Sequence, residues 1–173
     1  MTPPTSVGGR DVSGSPRRVN VGVGDLAVVD DDALLTTSGL GSCVAIAVVD
    51  HDAGVRGLLH AMLPSIDDAD TSGLRSPRPG KYVDSGFDVM VDAIADSGGS
   101  PDRLEASLIG GAEMLDLTAP VGPRNVSHAR RVLADAGVPI AASDVGDGVG
   151  RTVLFRSDGA VVVRAADGFE RTL

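Results

Sequence analysis

The chain has 173 residues, 42% of them hydrophobic and 23% charged, a length that suits one domain with a sizeable core. No apolar run reaches the roughly 18 residues that a membrane-spanning helix needs, so membrane insertion is not expected. One cysteine excludes an internal disulfide framework and a cysteine-cluster zinc site, and three histidines leave little for a multi-histidine metal site. The formal net charge of -9 comes from 21 Asp and 3 Glu against 14 Arg and the single Lys81. An acidic body repels phosphate backbones. With no Trp and only four aromatic residues there is no base-stacking platform either, so nucleic acid is not an expected partner.

An Asp-rich, Lys-poor chain fits a salt-filled cytoplasm, where the Debye length falls to about 3 Å at 1 M. Partner recognition there rests on apolar contact and short hydrogen bonds. Residues 1–17 are rich in Pro, Gly and Ser and read as a disordered leader, with a single domain over 18–173. Arg17-Arg18 invites a twin-arginine export reading. The stretch after it is broken by Asn20, two glycines and Asp25 and runs into Asp30-Asp31-Asp32, so a cytoplasmic location is expected.

From Val19 the chain reads as short strands at 19–23, 26–29, 33–38, 43–49 and 56–63. Residues 64–80 form a long polar loop without periodicity. Val83, Phe87, Met90, Val91 and Ile94 recur at helical spacing and predict a helix over 82–97, closed by Gly98-Gly99. A strand follows at 104–109, then a helix over 123–136 with Pro123 in its first turn and Gly137 at its end. Strands at 138–143, 151–156 and 160–164 complete the chain. The runs 43–49 and 56–63 are almost continuously apolar, the pattern of central strands covered on both faces. Together these elements predict a three-layer mixed α/β fold.

Cys43 follows Gly39-Leu40-Gly41-Ser42, and His60 lies 17 residues later in a second apolar strand. A two-residue turn at His51-Asp52 would pair Asp50 with Ala53 and set Cys43 directly opposite His60, with Cβ atoms about 5 Å apart. A loop with an odd residue count would put the two on opposite faces, so the spacing permits the couple without forcing it. Chemistry has a use for it. The thiolate is the nucleophile, and a neighbouring imidazole lowers the thiol pKa and returns the proton to a leaving group. The glycines before Cys43 can bring backbone N–H groups close to a carbonyl oxygen. Thr36, Thr37 and Ser38 are candidates to orient the imidazole. The plainer alternative is an inert core cysteine and a satisfied core histidine. In the same register, Gly110-Gly111 would be a strand end and Asn125 a polar group in a helix's first turn.

Thr37-Ser38-Gly39-Leu40-Gly41-Ser42-Cys43-Val44-Ala45-Ile46 and Gly57-Leu58-Leu59-His60-Ala61-Met62-Leu63-Pro64 resemble the CheD family of chemoreceptor glutamine deamidases. Lys81-Tyr82-Val83-Asp84, Ile109-Gly110-Gly111-Ala112-Glu113-Met114 and Gly122-Pro123-Arg124-Asn125 continue the likeness in the same order, over about residues 19–165. One departure is Asp147, where the family tends to carry the second glycine of a Gly-Gly pair.

The resemblance implies a three-layer α/β/α sandwich around a mixed β-sheet, similar to the deamidase domain of cytotoxic necrotizing factor toxins. It implies cofactor-free deamidation of glutamines on methyl-accepting chemotaxis receptors, with Cys43 as nucleophile, His60 as base and acid, and Thr37 orienting His60. Gly41, Ser42, Gly110, Gly111 and Asn125 are expected to support the site or lie near substrate. The phosphatase CheC is the implied protein partner, and an adaptor role toward CheC is the competing reading; a monomer is the default expectation. Hydrolysis of receptor glutamyl methyl esters would use the same acyl-enzyme.

Overall fold

The computed structural model describes residues 15–66, 78–113 and 120–173. Most of the expected leader, most of the 64–80 loop and Met114 lie outside these residues. Strand β1 (Arg18–Asn20) is followed by β2 (Leu26–Val29), β3 (Leu34–Leu40), β4 (Val44–Asp50) and β5 (Val55–Ala61). Helix α1 (Val83–Asp96), β6 (Glu105–Gly110), α2 (Val121–Asp135), β7 (Ile140–Val145), β8 (Arg151–Phe155), β9 (Val161–Ala165) and β10 (Glu170–Thr172) complete the order.

The strands form two sheets, β2-β5-β4-β6-β7 and β1-β3-β8-β9-β10, each mixing parallel and antiparallel pairs. All seven residues of both β4 and β5 are buried. Val44, Ile46 and Val48 point to one side, where they pack with Phe87, Met90 and Ile94 of α1 and with Ala129 and Leu133 of α2. Ala45, Ala47 and Val49 point to the other side, against Leu35, Val153, Phe155, Val161 and Val163 of the facing sheet. Continuous apolarity thus reports two covered faces, as expected.

The α/β class, the mixed pairing and the three layers agree with the sequence reading. The order of the layers differs from the sandwich that the resemblance implied: both helices lie on one side, and the third layer is a second sheet. The reason lies in β8 and β9, whose inward residues Val153, Phe155, Val161 and Val163 complete a sheet-on-sheet core.

Helix boundaries moved by one or two residues. Helix α2 begins at Val121, so Pro123 falls within its first turn, where a missing N–H costs nothing. Strand β10 was not foreseen, because its three residues are all exposed and carry no apolar alternation.

Candidate active site

Two features of β3 and β4 build the site. Strand β3 lies in one sheet and β4 in the other, so Gly41, Ser42 and Cys43 make the crossing between layers. Just before the crossing, β3 carries a bulge: Thr37 pairs with Val153, but Leu40 already pairs with Arg151. Gly39 within it has φ +72°, a left-handed backbone suited to glycine. The extra residue lets both Thr37 and Leu40 turn their side chains into the buried space between the sheets.

The β4–β5 connection has four residues, 51–54, instead of the two-residue turn that would set Cys43 directly opposite His60, and Asp50 pairs with Val55. Asp50 sets this length by accepting hydrogen bonds from the N–H groups of Asp52 and Ala53. The register therefore places His60 opposite Ala45, not opposite Cys43. Because the count remains even, Cys43 and His60 still share the face between the sheets, now on a diagonal rather than directly across.

His60 is fully buried. Its Nδ1 lies 2.7 Å from Thr37 Oγ1, and Thr37 Oγ1 donates its one proton to Val21 O at 2.6 Å. The hydroxyl must then accept from Nδ1–H, which leaves the Nε2 lone pair as the basic edge of the ring. That Nε2 is buried and has no hydrogen-bond partner among the described residues, Cys43 included. Burial pushes His60 down to about 4, opposed by the negative charge of Asp25. Burial also pushes the Cys43 thiol up, opposed by its own backbone N–H. Both shifts favour a neutral thiol beside a neutral imidazole.

The remaining candidates pack around the cysteine. Gly111 N–H donates to Cys43 O at 2.8 Å and Ala112 N–H to Gly41 O at 2.8 Å. Gly110 and Gly111 both have positive φ, and a Cβ on Gly110 would strike Cys43 O. The pair is thus more than a strand end: it lets the backbone after β6 press against the cysteine. Asn125, fully buried, donates from Nδ2 to Ser42 O at 2.8 Å and to Met62 O at 2.9 Å. Lys81 O accepts from the N–H groups of Met62 and Leu63, which latches the exit of β5 to the entry of α1. Asp147 adopts φ +55°, a left-handed conformation that Asp tolerates better than most residues.

Sequence reasoning missed Val21, whose carbonyl settles the hydroxyl of Thr37, and Asp25, which faces His60. Neither carries a signal of its own, since one acts through its backbone and the other is one Asp among 21. Among the described residues no group of three or more His, Cys, Asp or Glu is placed to hold a metal ion. No helix there is long and apolar enough to cross a membrane.

The family model described as CheD chemotactic sensory transduction matches residues 62–165. This chain belongs to the CheD family. A protein of Haloarcula marismortui named "Probable chemoreceptor glutamine deamidase CheD" is 38% identical, over 92% of this chain and 91% of its own. One of the same name from Natronomonas pharaonis is 39% identical, over 93% and 96%. The "Chemoreceptor glutamine deamidase CheD" of Thermotoga maritima is 35% identical, over 87% and 94%.

Proposed function

We propose that this CheD-family protein deamidates selected glutamine side chains on chemotaxis receptors, using Cys43 as nucleophile and His60 as base and acid. One observation carries the reading: Thr37 holds Nδ1–H of a fully buried His60, whose Nε2 has no partner among the described residues, and His60 shares its face of the sheet with Cys43. Membership of the family and the names of its relatives support the substrate class.

The chemistry starts from the neutral pair. His60 Nε2 takes the thiol proton as Sγ bonds to the glutamine amide carbon, and the carbonyl oxygen takes up the negative charge. The imidazolium then gives its proton to the amide nitrogen, ammonia leaves, and a thioester remains. Water, deprotonated by Nε2, attacks the thioester and frees the thiol and a glutamate. Thr37 stabilises the transient imidazolium by accepting from Nδ1–H throughout, as the third member of such triads does. The cycle requires no cofactor. Receptors are the substrate, CheC the protein partner, and the chain acts as a cytoplasmic monomer.

The deciding experiment incubates the purified protein in molar salt with a receptor cytoplasmic fragment and follows each glutamine by mass spectrometry. A gain of about one dalton at specific glutamines, lost in Cys43→Ala, is the expected result for an acyl-enzyme route. Equal conversion by Cys43→Ala would overturn the assignment.

A further inference from the structure

We infer that Asn125 is a positioning residue for the nucleophile: its side-chain amide pins the Ser42 carbonyl and thereby sets the direction of the Cys43 backbone N–H. This deepens the proposed function and rests on Cys43 being the nucleophile. Asn125 comes from α2, on the helix side of its sheet, and reaches the two chain segments that carry the site. Ser42 immediately precedes the nucleophile, and Met62 lies two residues beyond His60. A single nitrogen donates to both carbonyls, at 2.8 and 2.9 Å, which uses both of its protons.

The consequence follows from the peptide plane. In a trans peptide the C=O and the following N–H point in opposite directions. Fixing Ser42 O therefore fixes Cys43 N–H. That N–H acts to lower the thiol pKa, against the larger effect of burial. The same donor is at hand for the oxygen that gains charge when sulfur attacks a carboxamide. Gly111 N–H holds the other end of the residue through Cys43 O, so the cysteine backbone is clamped before and after its side chain.

The orientation of the amide has a cost. With Nδ2 turned to the two carbonyls, Oδ1 is buried without a partner among the described residues. An apolar side chain would fill this space without an orphaned oxygen. Keeping the amide makes sense where the two donated bonds are the useful feature.

The test compares Asn125→Ala with Leu133→Ala, a cavity-forming change on the same helix. Leu133 is fully buried in the helix-side core, about two turns along α2 from Asn125. For Asn125→Ala, kcat should fall about ten- to hundredfold with KM nearly unchanged. Alkylation of Cys43 by iodoacetamide should slow about tenfold, because less thiolate is present at a given pH. Leu133→Ala loosens the fold, so its thiol should react as fast as in the native protein or faster. Loss of stability and loss of positioning thus move alkylation in opposite directions.

Should Asn125→Ala fail to accumulate as folded protein, the unmodified chain still decides. Its Asn125 side-chain amide protons should exchange slowly and shift when Cys43 is alkylated. Asn125→Ala with unchanged kcat and unchanged alkylation rate would overturn the inference, as would amide resonances that ignore alkylation. The alkylation readout needs no receptor, so it fails separately from the substrate assignment.

Discussion

Thr37 and His60 meet across the space between two β-sheets, hydroxyl to ring nitrogen at 2.7 Å, and each is held by a different layer of the fold. The bond is directional because the hydroxyl proton is already committed to Val21 O. Removing the hydroxyl leaves Nδ1–H as a buried donor without an acceptor, and frees the ring to place its proton on Nε2 instead. Thr37→Val should therefore lower kcat about a hundredfold or more while leaving KM nearly unchanged, as expected for a lost tautomer lock. Stability should drop by about 1–3 kcal/mol from the unpaired donor. Thr37→Ser keeps the hydroxyl and should retain most of the rate. Steady-state kinetics on a receptor fragment, paired with urea unfolding, separates the two effects.

The depressed pKa of His60 has two measurable results. The base must be neutral to accept the thiol proton, so kcat/KM should hold down to about pH 5. It should decline through about 4, the value set by burial, rather than through the ordinary histidine value near 6.5. Stability follows the same group. The folded chain binds this proton only near pH 4, whereas the unfolded chain binds it near 6.5. As pH falls between these values the unfolded state therefore gains. The loss should total about 3 kcal/mol once both pKa values are passed. His60→Gln should flatten this segment of the stability curve. Denaturant titrations across pH 4–7 check it, and an unchanged slope in His60→Gln would show that other groups carry the acid sensitivity.

Much of this site was legible because the chemistry is local to two apolar strands. An even number of residues between facing strands keeps Cys43 and His60 on one face, whether the connection is two residues or four. The spacing left the face open between even and odd loops, and the four-residue connection decides it. The loop itself was not legible, since the carboxylate of Asp50 that organises it also holds Arg103 and Ser100, and those partners lie 53 and 50 residues further along the chain. The same limit hid the second sheet. The strands at 151–156 and 160–164 were visible, but nothing local says whether they extend the sheet of β4 or stack on it. The outcome depends on Phe155 and Val163 meeting Ala45 and Ala47 through space. The upward shift of the thiol and the downward shift of the imidazole were hidden for a related reason. Burial sets both, and burial is a property of the packed fold rather than of spacing.

Asp50 governs a lower pH window. Its side chain is fully buried, paired with the Arg103 guanidinium through both oxygens, and accepts from Ser100 N–H at 2.8 Å. The Arg103 hydrogen bond leads the causes that hold this carboxyl far below the usual carboxylate range, against the opposing effect of burial. A depressed folded pKa contributes stability that is present above the unfolded value near 3.9 and is lost as pH falls below it. Asp50→Asn should lower the melting temperature at neutral pH by several degrees, since the amide cannot accept in all these directions at once. It should also remove the steep loss of stability below about pH 4, leaving the His60 segment above that pH intact. Calorimetry at stepped pH distinguishes the two windows, and a native-like acid limb in Asp50→Asn would place the acid-labile group elsewhere.

Gly110 and Gly98 offer a controlled pair for the contact behind the nucleophile. Their φ values are +103° and +96°, so replacing either by Ala imposes a similar backbone strain, of order 1–3 kcal/mol. Their surroundings differ. A Cβ on Gly98 meets nothing within 4 Å, whereas one on Gly110 strikes Cys43 O. The obstruction is backbone, which cannot rotate aside, and it sits on the residue proposed to attack the substrate. Gly98→Ala should fold, melt a few degrees lower and keep its kcat. Gly110→Ala should lose stability beyond that and, at temperatures where it remains folded, lose kcat at least tenfold. A Gly110→Ala protein with native kcat would mean that the carbonyl of Cys43 can shift without moving its sulfur, and that the close approach of β6 serves packing alone.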